Sequence, residues 1–260
     1  MTQAEKAKAF RALHSGDPFV FPNPWDTESA KGLADLGFEA LASTSAGHAE
    51  QLGRTDGEVT LDDCVAHARA LDQATALPVA MDLENGYGAE PDQAARAITR
   101  VGEAGAVGGS IEDWDPGDKV IYCLEHAVAR VAAAVEAARA FDFPFTLTAR
   151  AENQLRRVND LDDTIARLQA YEGAGADVLY APGLHSVDEI RQVSDAVSKP
   201  VNVLVWPGLS VQGIFEAGAQ RISFGSWLWE VAKRSDTAGA MEVAAAIRDD
   251  GDLSVLTGGG

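Results

Sequence analysis

The sequence predicts an α/β fold, a (β/α)8 TIM-type barrel, and three observations carry that reading. Eight short apolar runs are spread along 260 residues, with a helical stretch between each pair. One phrase recurs, in which an Ala-rich amphipathic stretch ends at a glycine and turns into an apolar run closed by small or polar residues. Eight such units in about 250 residues is also the usual size of this barrel.

In chain order the strand candidates are Phe19–Pro22, Ala40–Ser43, Val79–Leu83, Gly109–Glu112, Thr146–Arg150, Val178–Ala181, Val201–Val205 and Arg221–Phe224. Runs so short and so uniformly apolar suit a parallel sheet covered on both faces. Gly37, Gly105, Gly175 and Gly218 stand where a left-handed residue ends a helix before the next strand. Asp26, Thr60 with Asp63, Asp160 with Asp163, and Ser186 with Glu189 read as helix caps. A doubly wound open sheet is the alternative, but no Gly-x-Gly-x-x-Gly follows an early strand. Residues 1–260 are expected to form a single barrel domain, with a short flexible Gly-rich tail at 257–260.

Composition narrows the function. Hydrophobic residues make up 46% and charged residues 23%, as in an ordinary folded chain. A net charge of −19 argues against nucleic acid, which needs a clustered cationic surface. No run reaches the ~20 apolar residues of a membrane span, and the N-terminus carries no secretory pattern, so a cytoplasmic location is the default. Two cysteines, Cys64 and Cys123, exclude a disulfide scaffold.

A parallel barrel works at the C-terminal ends of its strands, so the residue closing each run is the shortlist. Asp82 and Glu84 close the third run and Glu112 the fourth. Carboxylates so close stay ionised together only beside a cation, and hard oxygens without His or Cys favour Mg2+ or Mn2+. Helix capping is the plain alternative. Arg150 closes an otherwise uncharged run; it suits capture of a carboxylate or an enolate oxygen, and equally an ion pair with Glu152 or Glu112. Ser43 to Gly47 offers hydroxyls and approachable amides for an anion, or an ordinary turn. The five histidines show no ligand spacing, and only His48 lies near the expected mouth. Cys64 reads as a packed thiol, Cys123 has no neighbouring cation to lower its pKa, and Trp227 and Trp229 read as core anchors.

Taken together, Asn23-Pro24-Trp25-Asp26, Thr44 to Gly47, Asp82-Leu83-Glu84-Asn85-Gly86-Tyr87-Gly88, Ile111-Glu112-Asp113 and Thr148 to Glu152 resemble the isocitrate lyase/phosphoenolpyruvate mutase superfamily, in order and over nearly the whole chain. The resemblance implies a barrel with a C-terminal helix exchanged between subunits, in a homo-oligomer (tetramer or dimer). It implies Mg2+ held largely through waters at Asp82, Glu84 and Glu112. The shared chemistry makes or breaks a bond to C3 of a 2-oxo acid through an enolate. Carried over position by position, Thr44, Ser45 and Ala46 match the cradle for the pyruvoyl carboxylate, and Arg150 the arginine gripping that unit. Asp56 matches an aspartate near the metal; Trp25 and Asp82 join the substrate contacts. Tyr87, His48, Lys119 and a metal-bound water are the candidate proton carriers.

The lid departs from the pattern. Isocitrate and methylisocitrate lyases carry Lys-Lys/Arg-Cys-Gly-His after strand four, whereas this chain reads Trp114 to Leu124, with Cys123 outside that context. The Lys-Thr-Asn-Ser lid of the mutase and phosphonopyruvate hydrolase is missing too. The expectation is therefore a short-lidded, Mg2+-dependent carbon–carbon lyase or decarboxylase of a small 2-oxo or 2-hydroxy di- or tricarboxylate. A P–C bond mutase or hydrolase, and a non-catalytic 2-oxo acid binder, are the alternatives.

Overall fold

The computed structural model describes residues 1–158, 160–251 and 253–257. Helix α1 (Gln3–Leu13) precedes β1 (Phe19–Phe21), α2 (Thr27–Asp35) and β2 (Leu41–Ala42). Helices α3 (Ser45–Gln51) and α4 (Leu61–Ala74) lead to β3 (Val79–Asp82), α5 (Pro91–Glu103) and β4 (Gly108–Glu112). A small hairpin, β5 (Trp114–Asp115) and β6 (Val120–Ile121), interrupts the alternation before α6 (Leu124–Arg139) and β7 (Thr146–Arg150). The chain continues through α7 (Leu161–Gly173), β8 (Val178–Tyr180), α8 (Val187–Ala196), β9 (Val201–Leu204), α9 (Val211–Glu216) and β10 (Arg221–Ser223). Helices α10 (Trp227–Arg234) and α11 (Thr237–Asp250) end the alternation.

Leaving out the hairpin, the strands run parallel in the order β1-β10-β9-β8-β7-β4-β3-β2. The ring closes between β1 and β2, where the Ala42 N–H donates to the Pro22 carbonyl at 3.0 Å. Asn23 completes the seam: its Nδ2 donates to the Ser43 carbonyl, and its Oδ1 accepts from the Phe224 and Gly225 amides at 2.8 and 2.9 Å. All eight expected strands are present, each within a residue or two of the sequence reading. The four helix-ending glycines have positive φ, and the expected caps hold: Asp26 and Asp160 accept from the residue three on, and Thr60 and Ser186 form capping boxes.

Helix α1 was not foreseen, and it fills the N-terminal end of the barrel. Its Ala7 and Phe10 join Phe19, Phe21, Ala40, Ala80 and Val107 in an apolar plug distinct from the larger core between strands and helices. The plug needs Gly108 on β4, because a Cβ there would stand 2.9 Å from the Phe10 ring and 2.9 Å from the Thr146 carbonyl. Burying Phe10 contributes roughly 2–3 kcal/mol. Lys6 anchors the same helix, reaching Asp72 Oδ1 at 2.7 Å and the carbonyls of Asp72 and Thr75 at the end of α4.

Helix α11 packs against α10 and against α2, where Met241 Sδ occupies the space a Cβ on Gly32 would need. The expected tail at 257–260 lies, from 258 onward, outside the described residues. No helix among the described residues is long and apolar enough to cross a membrane.

Candidate active site

A cavity of about 370 Å³ enters the barrel from the C-terminal ends of the strands. Thr44, Ser45, Ala46, Asp56, Asp82, Glu112 and Arg150 all line it, so the structure gathers most of the predicted site residues on one surface. Strand register explains the convergence. Asp82 and Glu112 end β3 and β4, and Arg150 ends β7 directly beside Glu112.

Arg150 is the hub. Its Nη1 donates to Asp82 Oδ1 at 2.9 Å, its Nη2 lies 3.0 Å from Glu112 Oε2, and Nε and Nη2 reach Glu152 Oε1 at 3.1 and 2.8 Å. Burial works against its charge, but Glu152, Glu112 and Asp82 outweigh it and raise the guanidinium's pKa well above the usual arginine range. The ion pairs with Glu152 and Glu112 read from the sequence are present, and the guanidinium they hold lines the cavity. Among the described residues Nη1 bonds only Asp82, which leaves one N–H for an incoming oxygen.

Arg156, which the sequence reading passed over, lies 3.5 Å from Glu112 Oε1 and 3.2 Å from Glu152 Oε2, the latter an ion pair without hydrogen-bond alignment. Its guanidinium sits 4.5 Å from the centre of the Trp114 ring, so the short hairpin rests on the acidic cluster through a cation–π contact. Asp113 plays a structural part. It is buried and accepts from the Glu152 amide at 2.8 Å, Arg167 at 3.0 Å and the Tyr171 hydroxyl at 2.5 Å, which fixes the end of β7.

The segment after β3 turns sharply, with Glu84 at φ +49° and Tyr87 at φ +63°. Such left-handed backbone in non-glycine residues costs of order 1–3 kcal/mol each and persists only where neighbours enforce it. Arg130 does so by donating to the carbonyls of Asn85, Gly88 and Ala89, while Asn85 donates to the Tyr122 hydroxyl at 3.0 Å. Gly86 is required, because a Cβ there would stand 2.8 Å from Ala94 Cα. The turn places Glu84 behind Asp82, in a smaller hollow beside the main cavity.

Glu84 shows what the cluster lacks. It is buried, its Oε1 has no hydrogen-bond partner among the described residues, and burial with Asp56 and Asp82 pushes its pKa up to about 8. Burial raises Glu112 as well, followed by Glu152, and raises Asp56 together with Asp82. Among the described residues Asp56, Asp82, Glu84, Glu112 and Glu152 face only Arg150 and Arg156, an excess of acid that a hard dication would relieve. Among the described residues no three acidic, His or Cys side chains converge closely enough to grip a bare ion. Oxygen donors at a remove suit Mg2+, which keeps several of its waters.

Other predicted residues lie elsewhere. Trp25 is 1% exposed and packs on Trp229 at 5.5 Å, so it lies in the core, outside the lining of the cavity. Tyr87 is turned by its left-handed backbone into the smaller hollow, where its hydroxyl pairs with Cys64. His48 stacks on His67 at 3.7 Å in that same hollow. Cys64 is packed as expected, with burial raising its thiol to about 12. Cys123 is exposed at the start of α6, and Lys119 is exposed in the hairpin turn. Trp227 adjoins the core and also walls the cavity with Trp206. The sequence reading missed Thr148, Asn202, Arg221 and Ser223, which line the cavity lower in the barrel. Their signal was the two-residue period of a strand: Thr148 precedes Arg150 by two, and Ser223 follows Arg221 by two.

The phosphoenolpyruvate phosphomutase family matches residues 10–244. The 2-methylisocitrate lyase of Escherichia coli K12 is 32% identical over 211 residues, covering 77% of this chain and 70% of that protein. A Burkholderia cenocepacia J2315 structure, provisionally assigned as a lyase/mutase, superposes with a TM-score of 0.87 at 48% identity, covering 99% of this chain and 92% of that one. Oxaloacetate acetylhydrolase in complex with its product oxalate superposes with a TM-score of 0.82 at 26% identity, covering 97% and 89%. The family match, the relatives and the fold place the chain in the phosphoenolpyruvate mutase/isocitrate lyase superfamily of lyases and mutases, to which it belongs.

Proposed function

We propose that this chain is a Mg2+-dependent lyase that cleaves a carbon–carbon bond of, or decarboxylates, a small 2-oxo or 2-hydroxy di- or tricarboxylate through a pyruvate-type enolate. The observation that supports it best is Arg150, held by three carboxylates at the strand ends and facing the turn Thr44 to Ala46 across one cavity. That turn can receive a carboxylate: Thr44 caps α3 by accepting from the Gly47 amide at 3.3 Å, the Ser45 amide donates to Asp82 Oδ2 at 3.4 Å, and the small side chains leave the Ala46 amide to the cavity. Arg150 then offers its spare Nη1 N–H to the same 2-oxo unit.

A dication bound near Asp82, Glu84 and Glu112 would supply positive charge for the oxygen that becomes anionic. Asp82 is tied for that work by the Ser43 hydroxyl, which accepts from its amide at 2.8 Å, and by the Ser110 hydroxyl, which donates to Oδ1 at 3.3 Å. Asp56 is the wall carboxyl suited to hold a proton. Asp56 as a residue is exposed, but its carboxyl borders the cavity, where desolvation and Asp82 raise its pKa and Ser45 hydrogen-bonds it. Trp206 and Trp227, 6.0 Å apart between ring centres, add apolar surface to the cavity lining.

The test is a proton and phosphorus NMR time course with Mg2+ and an EDTA control. The substrates are oxaloacetate, isocitrate, 2-methylisocitrate and phosphonopyruvate. EDTA-sensitive release of pyruvate, glyoxylate or succinate from a carboxylate is the expected result. Turnover of phosphonopyruvate alone would assign the site to P–C chemistry, and line broadening of 2-oxo acids without turnover would make it a binder.

A further inference from the structure

Arg221 begins β10 and extends its guanidinium into the floor of the cavity, where it is 4% exposed. Its Nε donates to Asn202 Oδ1 at 2.9 Å, its Nη2 to Thr148 Oγ1 at 2.8 Å, and its Nη1 to His14 Nε2 at 2.9 Å. All three acceptors are neutral. His14 Nδ1 lies 2.8 Å from the Phe10 carbonyl, to which it must donate, so Nε2 carries the acceptor lone pair. Burial and Arg221 hold this imidazole's pKa down at about 3, so it stays neutral.

The other buried arginines are satisfied differently. Arg150 and Arg167 are ion-paired, and Arg130 spends its donors on loop carbonyls away from the cavity. Among the described residues Arg221 alone of the four both lines the cavity and lacks a carboxylate partner. Burial lowers its pKa to about 9, which still leaves it charged at neutral pH. A buried charge without a counter-ion is costly, and a fold keeps one where something else completes it.

The surroundings fix the group rigidly. Asn202 Nδ2 donates to Ser223 Oγ at 2.9 Å, which aims Oδ1 at Arg221, and the guanidinium lies 4.7 Å from the centre of the Phe21 ring. Three of the five N–H groups are used, so two remain for a ligand. Thr148, which holds Nη2, lies two residues below Arg150 on β7, about 6–7 Å along the strand.

We propose that Arg221, with Asn202, Ser223 and Thr148 around it, forms a second anion subsite on the barrel floor, which takes the far carboxylate of a four- to six-carbon dicarboxylate. It rests on the reading that Arg150 and the Thr44 to Ala46 turn hold the 2-oxo acid end. The ligand then spans the cavity from mouth to floor, and the floor selects dicarboxylates over monocarboxylates of equal length.

The experiment is calorimetric titration in Mg2+ with three probes: oxalate, 2-oxoglutarate and 2-oxopentanoate, the last having a methyl group where 2-oxoglutarate has its far carboxylate. Wild type is expected to bind 2-oxoglutarate at least tenfold more tightly than 2-oxopentanoate. Arg221→Met should remove that preference while holding oxalate within twofold, and Arg221→Lys should keep part of it. Equal wild-type affinities for the two longer acids overturn the floor subsite whether or not the variants fold, as would an equal loss for oxalate and 2-oxoglutarate in Arg221→Met. If oxalate fails to bind wild type but 2-oxoglutarate retains its preference, the Arg150 reading falls and the floor subsite stands. If none of the probes binds, both fall.

Discussion

At the mouth of the cavity Arg150 is bonded to Asp82, Glu112 and Glu152, whereas at its floor Arg221 is bonded to Asn202, Thr148 and His14. Exposure is similar, 9% against 4%, but one guanidinium sits in surplus negative charge and the other has no carboxylate partner among the described residues. At the mouth acid exceeds base, and at the floor the guanidinium meets only neutral acceptors among the described residues. The same side chain therefore sits in two different electrostatic settings: Arg150 organises carboxylates, and Arg221 is the group proposed to receive one.

The sharpest way to break the comparison is to replace each arginine by Met. Arg150→Met strands three buried or half-buried carboxylates, and removing one member of a buried ion-pair set costs about 3–5 kcal/mol. Activity should fall about 10²–10³-fold, as it does when a donor to a developing oxyanion is lost. Chemical denaturation and kcat/KM on whichever substrate the NMR survey identifies measure the two losses. A fully stable, active Arg150→Met chain would remove the hub from the proposed site.

Metal and pH come next. Glu84 binds its proton up to about pH 8 in the folded chain, against about 4.5 in an unfolded one. Between those values the folded state holds the extra proton, so raising the pH destabilises the metal-free fold. Glu112 acts in the same direction. A dication displaces such protons, so Mg2+ should raise the melting temperature little near pH 5 and progressively more toward pH 8, with proton release on binding. Glu84→Gln should flatten that dependence. A Mg2+ stabilisation that is constant with pH would contradict this account of the carboxylate cluster.

Much of the mouth was legible in the sequence, because strand ends can be read from short apolar runs and their closing residues. Asp82, Glu112 and Arg150 came from that rule alone. It failed where backbone geometry departs from a simple strand ending: the left-handed turn carries Glu84 behind Asp82 and swings Tyr87 toward Cys64. Trp25 turned out to lie in the core, because a strand-end position does not say whether its side chain faces the mouth or the core. The floor was hidden for a different reason. Arg221 opens an apolar run, but its neutrality of surroundings depends on His14 from α1, 207 residues earlier, and α1 carries no strand-end signal.

The floor offers a smaller effect of its own. Arg221→Met removes an unpaired buried charge but leaves three acceptors without their donor, two opposing terms of roughly 1–3 kcal/mol. Its unfolding free energy should stay within about 1–2 kcal/mol of wild type, well inside the loss for Arg150→Met. Equal destabilisation by the two substitutions would mean that Arg221 is a structural strut no different from Arg150.

The finest test removes a single neutral acceptor. Thr148→Val keeps the shape of the β7 side chain but deletes the oxygen that accepts from Arg221 Nη2. A bond from a charged guanidinium to a neutral acceptor is worth about 1.5–3 kcal/mol when nothing replaces the acceptor. The cavity runs past this position, so water or a ligand carboxylate can take the freed N–H. The stability loss should therefore be about 1 kcal/mol or less without ligand. It should shrink further when 2-oxoglutarate is bound, because the carboxylate replaces the lost acceptor. Oxalate, held at the mouth, should give no such recovery. A Thr148→Val defect that neither acid relieves would show that the third bond of Arg221 serves the fold and not the ligand.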